Sequence, residues 1–218
     1  MKKYFVEFIG TFFLMLIIVL TVNDGSGDMA PLAIGSILMV MVFAGGHISG
    51  GHFNPAVTLG VWICGKVKAG DIPGYMIGQI LGSLLGALTA IYLLGFIPGS
   101  TPISTGGTFD FIGGTLAEFL GTFALVWVVL HTATAADIKG NSYYGLAIGF
   151  TIMACAYGLG GITGGAFNPA VALGISAIGM TSWGNILAFL LGQLLAGVAA
   201  AFVFKYVTAL SKTEEESK

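Results

Sequence analysis

Charge is scarce in this chain. Only 8% of its 218 residues are Asp, Glu, Lys or Arg, against about 25% in a soluble domain. With 56% apolar residues and a mean hydropathy of +0.95, too few polar groups remain to cover a water-facing surface. The composition therefore reads as an integral membrane protein whose partner is the lipid bilayer. There is no arginine at all, and the formal net charge is −2, which excludes the basic footprint of a nucleic-acid-binding surface. Cysteine is nearly absent too. Cys64 and Cys155 have no CxxC spacing and read as small buried hydrophobes, not a disulfide or metal site. Histidine numbers three. His47 and His52 lack a third ligand nearby in sequence, so loop packing is their expected role, and His131 is expected at an interface. With no nucleophile–base pair and no metal-ligand spacing, neither enzyme chemistry nor a cofactor is expected. No A-x-A-like cleavage site follows the first apolar run, so it reads as a retained helix.

Long charge-free runs are what the chain has in abundance. Phe8–Asn23 reads as one spanning helix. Pro31–Gly65 is too long for one span. Further helices are expected over about Gly74–Leu94 and Phe119–Ala136, with a loop holding Pro98 and Pro102 between them. Gly140–Phe204 carries no charge and has room for two spans and something shorter. A span needs about 20 apolar residues. The expectation is six full helices plus two short segments, Asn54–Cys64 and Asn168–Ile178, each reaching roughly half the hydrocarbon thickness. With the N-terminus in the cytoplasm, Lys2, Lys3, Lys66, Lys68, Lys139, Lys205, Lys212 and Lys218 all fall on the cytoplasmic side, as the positive-inside tendency requires. The acidic tail, about 211–218, is expected to be solvated and disordered.

The two halves, about 1–97 and 112–210 of a single 1–218 transmembrane domain, resemble each other. Val6–Phe12 (VEFIGTF) aligns with Ala117–Phe123 (AEFLGTF), Asn54–Val57 (NPAV) with Asn168–Val171, and Gly78-Gln79 with Gly192-Gln193. Three spans separate equivalent positions, so the second half is inserted upside down, as in inverted-topology repeats. Each short segment then enters from its own side and begins near the midplane. Irregular backbone at that depth is tolerated only where protein or water satisfies it, so the carbonyls of each Gly-rich run can face a pore. Asn caps the helix that follows, Pro suits its first position, and Gly65 and Gly179 are plausible stops. Two helix N-termini meeting at the midplane repel cations, while the capping amides retain hydrogens to offer a passing solute. A duplicated turn is the plainer alternative, but two copies at matched places, each preceded by Gly-Gly-x-Phe, favour the pore. Gly78, Gly82 and Gly86, echoed by Gly192 and Ala196, read as close helix packing.

At the string GHISGGHFNPAVT the chain resembles the aquaporin, or major intrinsic protein, family, and the resemblance runs from Glu7 to the last helix. It implies six tilted helices plus two re-entrant half-helices, an all-α inverted 3+3 repeat, with one pore in each subunit of a homotetramer. The paired pore motifs then fall on Asn54, Pro55 and Ala56 and on Asn168, Pro169 and Ala170. The pore-lining carbonyls fall on Gly50, Gly51, His52 and Phe53 and on Gly164, Gly165, Ala166 and Phe167. The buried glutamates that brace the loops fall on Glu7 and Glu118.

The family's second constriction maps to Ile34, Ala156, Gly165 and Val171; Gly149, seven residues before Ala156, supports that placement. Most members carry arginine at the position of Val171. Here the four sites hold no arginine, histidine or aromatic, and Ala172 replaces the aspartate of glycerol-type members. A wide, apolar filter is expected. The reading is a passive channel for water and small neutral solutes in the plasma or inner membrane, with both termini cytoplasmic. Glycerol, urea, ammonia, hydrogen peroxide and metalloid acids are the candidate solutes. A coupled small-solute transporter and a junctional or structural membrane protein are the alternatives.

Overall fold

Two glutamates displace the helix boundaries that charge-free runs suggest. The computed structural model describes residues 1–24, 26–100 and 106–216; Pro102 and Lys218 lie outside them. Helix α1 spans Lys2–Asn23 and α5 spans Phe111–Val129, both starting before the expected Phe8 and Phe119. Glu7 and Glu118 sit inside these helices, fully buried, so a charge there does not mark an end. Asp110 caps α5 by accepting from the Gly113 N–H at 2.7 Å, which places an anion at the positive end of the helix. The same helix continues through a π-helical turn, Leu130–Thr134.

The remaining helices are α2 (Ala30–Ser49), α3 (Pro55–Ile63), α4 (Ile72–Leu94), α6 (Tyr144–Thr163), α7 (Pro169–Ala177) and α8 (Ile186–Glu216). Among the described residues six segments are long and apolar enough to cross a membrane: Lys2–Asn23, Gly27–Ser49, Ala69–Leu94, Phe111–Thr134, Tyr144–Thr163 and Trp183–Ala209. The short helices α3 and α7 stand within one residue of their expected bounds, each followed by a positive-φ glycine, Gly65 or Gly179. The tail departs from expectation, because α8 continues as helix to Glu216. Ala209 to Glu216 contains no Gly or Pro, and Lys and Glu are good helix formers.

The repeat is visible in the packing: α1 lies along α4 as α5 lies along α8. Gly78, Gly82 and Gly86 face the backbone of α1 directly, and a Cβ on Gly78 would stand 2.6 Å from the Tyr4 carbonyl oxygen. Gly192 meets the Thr115 carbonyl in the same manner, and Ala196 is fully buried. Leu81, Leu85 and Leu88 of α4 and Leu187, Leu191 and Leu195 of α8 are exposed at helical spacing. In hydrocarbon such a face is matched to its surroundings. At one end of the bundle Lys3 pairs with Asp71 at 2.5 Å, and the Tyr4 hydroxyl donates to the same carboxylate at 2.8 Å.

Three minor expectations resolve here. His131 packs within the chain, its ring 4.2 Å from Trp127 and 4.9 Å from Phe204, so its interface is the one between α5 and α8. Cys64 and Cys155 are free but only half-buried; Cys64 closes the C-terminus of α3 and Cys155 lies within α6. His47 is exposed, whereas His52 is buried.

Helices α2 and α6 cross at Gly35 and Gly149. A Cβ on Gly35 would stand 2.6 Å from the Gly149 carbonyl oxygen, and one on Gly149 would stand 2.6 Å from Met39 Cβ. Gly149→Ala should force these helices apart and destabilise the protein by about 1–3 kcal/mol, the usual cost of overpacking. The check is a lowered thermal midpoint in detergent, against Gly158→Ala on the same helix. No atom lies within 4 Å of an added Cβ at Gly158, so that midpoint should stay unchanged.

Candidate pore

Each re-entrant loop is shaped by one carboxylate. Glu7 Oε1 accepts from the Ser49 hydroxyl at 2.7 Å and the His52 N–H at 3.0 Å. Its Oε2 accepts from the Phe53 N–H at 2.6 Å and Gln79 Nε2 at 2.8 Å. Glu118 repeats the set with Thr163 at 2.5 Å, Ala166 N–H at 3.1 Å, Phe167 N–H at 2.7 Å and Gln193 Nε2 at 2.8 Å. Ser49 and Thr163 also accept from the N–H groups of Gly51 and Gly165, both at 3.1 Å. A buried carboxylate is tolerable when charge-assisted bonds fill its lone pairs in this way.

These bonds dictate where the carbonyls point. Among the described residues no peptide bond is cis, and in a trans peptide the C=O lies opposite the following N–H. With the N–H groups drawn to Glu7 and Glu118, the carbonyls of Gly51, His52, Gly165 and Ala166 turn the other way. The chain reaches this shape through left-handed residues on either side of His52 and of Ala166: Gly50 at φ 95, Gly51 at 63 and Phe53 at 48, then Gly164 at 93, Gly165 at 69 and Phe167 at 47. Positive φ is unfavourable for phenylalanine. Both rings are fully buried, pressed against Gly10 and Gly121, where no Cβ would fit.

Asn54 and Asn168 begin α3 and α7 in extended conformation. Asn54 Oδ1 accepts from the Ala56 N–H at 2.8 Å, and Asn168 Oδ1 from the Ala170 N–H at 2.9 Å. Their amide groups then cross the molecule. Asn54 Nδ2 donates to the Phe167 carbonyl at 2.9 Å, and Asn168 Nδ2 donates to the Phe53 carbonyl at 2.8 Å. Two of the eight expected pore carbonyls are thus engaged in tying the loops together. Each asparagine keeps one amide hydrogen, not two.

A cavity of about 200 Å³ runs past both asparagines. Val22, Met180 and Thr181 line one end, and Val129 and Ile148 the other. Ile34, Ala156, Gly165 and Val171 all line it, on α2, α6, the second loop and α7. So do Gly51, His52, Phe53, Gly164 and Ala166, whereas Gly50 and Phe167 do not. Gly50 instead lines a second cavity of about 570 Å³ at the lysine-bearing end, beside His47, Lys66, Lys139 and Asn141. Among the described residues no Asp, Glu, Lys or Arg lines the first cavity. Among the described residues no group of three or more His, Cys, Asp or Glu could hold a metal ion.

Sequence reasoning missed Ser49 and Thr163, although each precedes a Gly-Gly pair at matched places. It also missed a cluster present only in the first half. The Thr58 hydroxyl donates to the Asn54 carbonyl at 3.0 Å and accepts from Gln79 Nε2 at 2.9 Å, with His52 Nδ1 at 3.1 Å. A hydroxyl has one hydrogen, so the bonds are all satisfied when His52 Nδ1 donates. The Tyr75 hydroxyl donates to the Ser49 carbonyl at 2.5 Å. The second half holds Ala166, Ala172 and Phe189 at the corresponding places.

Glu118→Gln keeps the shape of this side chain but turns an amide group toward groups that donate. Each buried donor left unpaired costs about 1–3 kcal/mol. The thermal midpoint in detergent should drop and solute flux per protein should fall. Asp137→Asn, on an exposed residue of the α5–α6 connector, is the control. An unchanged midpoint for Glu118→Gln contradicts the bracing.

Comparison with known proteins agrees with this fold. The family model described as major intrinsic protein matches residues 1–206. The chain is 33% identical to the glycerol uptake facilitator protein-like 6 of Lactiplantibacillus plantarum over 208 residues, covering 93% of this chain and 96% of that one. It is 30% identical to aquaporin AqpM of Methanothermobacter thermautotrophicus, covering 95% and 98%. Its fold matches the crystal structure of the aquaglyceroporin from Plasmodium falciparum with a TM-score of 0.81, over 97% of this chain and 98% of that one, at 24% identity. A family match along nearly the whole chain, on a fold of six spans and two half-helices, makes this protein a member of the major intrinsic protein family.

Proposed function

We propose that solute passes along the cavity beside Asn54 and Asn168 and is selected at the ring of Ile34, Ala156, Gly165 and Val171. Family membership makes the chain an integral membrane protein and a passive channel for water and small solutes such as glycerol, not an enzyme. The observation that carries the proposal is the lining itself. All four ring residues and both capping asparagines border one cavity, and among the described residues no formally charged side chain does. In this reading Asn54, Pro55 and Ala56 and Asn168, Pro169 and Ala170 form the midplane site, and the free loop carbonyls replace part of a solute's hydration. Glu7 and Glu118 hold those carbonyls in place. With valine where a guanidinium would project, the ring is wide and apolar. Glycerol, urea, ammonia, hydrogen peroxide and metalloid acids fit it better than a strict water filter would. Apart from His52, no titratable side chain lines the cavity, which favours passive flow over ion-coupled transport.

The remaining assignments belong to the same proposal. Residues 1–218 act as one channel unit with halves 1–97 and 112–210, assembled as a homotetramer in the plasma or inner membrane. Lys3, Lys66 and Lys139 gather at one end of the bundle, which supports cytoplasmic termini.

Val171→Arg tests the ring. A guanidinium adds a fixed charge and several donors to the narrow segment. In proteoliposomes at equal protein content, water flux should persist while glycerol and urea flux falls about tenfold or more, a barrier rise of about 1.4 kcal/mol. A native channel that passes water and no larger solute contradicts the ring assignment. Asn168→Asp tests the midplane. A carboxylate there offsets the positive helix ends, so correctly assembled protein should conduct small cations that the native protein excludes. Unchanged cation exclusion contradicts the midplane barrier.

A further inference from the structure

The donors of the second loop beside the ring are all accounted for, and none faces a solute. Gly164 N–H donates to the Gly160 carbonyl at 2.8 Å, Gly165 N–H to Thr163 Oγ1 at 3.1 Å, and those of Ala166 and Phe167 to Glu118. The hydroxyl hydrogen of Thr163 also goes to Glu118. The carbonyls of Gly164, Gly165 and Ala166, by contrast, accept no hydrogen bond among the described residues. Ile34, Ala156 and Val171 add only hydrocarbon. A solute in the ring therefore meets acceptors and apolar wall. Donors lie beyond it: the Thr181 hydroxyl toward the Met180 end of the cavity, and, toward the midplane, the Val171 N–H in the first turn of α7 and the remaining amide hydrogens of Asn54 and Asn168.

Resting on the channel reading above, we propose that the ring sorts neutral solutes by the hydrogens they can donate. Solutes rich in N–H groups are the favoured class, over solutes of equal size that offer fewer. A donated hydrogen lost from water finds a carbonyl in the ring. A solute acceptor finds nothing there, and a buried unpaired acceptor is costly. Size alone does not predict this. A wide apolar sieve passes the solute that is cheapest to dehydrate, which is the one with fewer polar hydrogens.

Urea and acetamide separate the two rules. They have the same number of heavy atoms and one carbonyl each, but urea has two amide nitrogens where acetamide has one nitrogen and a methyl group. Protein-dependent permeability of proteoliposomes, with the protein-free background subtracted, should be about fivefold greater for urea, the worth of roughly one net hydrogen bond. Val171→Asn brings amide donors into the ring and should move the ratio toward unity. Val171→Leu, of similar bulk and without a donor, should keep urea ahead. Acetamide equal to or faster than urea overturns the proposal, as does a ratio insensitive to Val171→Asn. Water flux with neither amide passing also overturns it while leaving the channel intact. Absence of any flux above background, water included, overturns the channel reading itself.

Discussion

A carboxylate buried at membrane depth and bonded by four donors is the constraint on which the rest of this molecule depends. Glu7 and Glu118 would each be strongly unfavourable if unpaired in a low-dielectric region. Their partners are the backbone amides of loops that have no helix to satisfy them. Two difficulties, a buried charge and irregular backbone away from water, thus resolve each other. The orientation of the carbonyls follows from that pairing, and the polar wall of the cavity follows from the carbonyls. The pore is polar on one side because the glutamates stand behind that side and pull the opposite groups toward themselves.

The halves share this brace but not everything around it. In the first half His52, Thr58 and Tyr75 link the loop to α3 and α4 through hydrogen bonds. In the second, Ala166, Ala172 and Phe189 fill the same space with hydrocarbon, and all three are buried. The repeat preserves what orients the backbone and varies what packs behind it. The ring belongs to the less polar second half for the most part. Gly165 and Val171 flank its asparagine, and Ala156 comes from the helix that precedes the loop.

Much of this was legible in the sequence. Asn-Pro after Gly-Gly-x-Phe located both half-helices to within a residue, since capping and proline chemistry act locally. The inverted repeat was legible because Glu, Gly-Gln and Asn-Pro recur in order. Helix starts were less so. Charge-free runs start α1 and α5 after Glu7 and Glu118, although the resemblance implies that both are buried; the groups that satisfy them there, Ser49, Thr163, Gln79 and Gln193, come from distant parts of the chain. The acidic tail, expected to be disordered, instead continues α8 to Glu216, since Lys and Glu are good helix formers. The crossed bonds of Asn54 and Asn168 could not be read at all. They join residues more than a hundred positions apart, and only the folded geometry shows which carbonyl each amide meets.

Those crossed bonds bear on how the protein is made. While only the first half is in the membrane, Asn54 lacks the Phe167 carbonyl and the Phe53 carbonyl lacks Asn168. Each half therefore carries polar groups at bilayer depth that only the other can satisfy. Synthesis from the N-terminus leaves the first re-entrant loop waiting for a partner that arrives three spans later in the opposite orientation. A first half released alone would retain an incomplete loop. Completion of the second half closes both loops in one event, so the conduit comes into being only with the whole polypeptide.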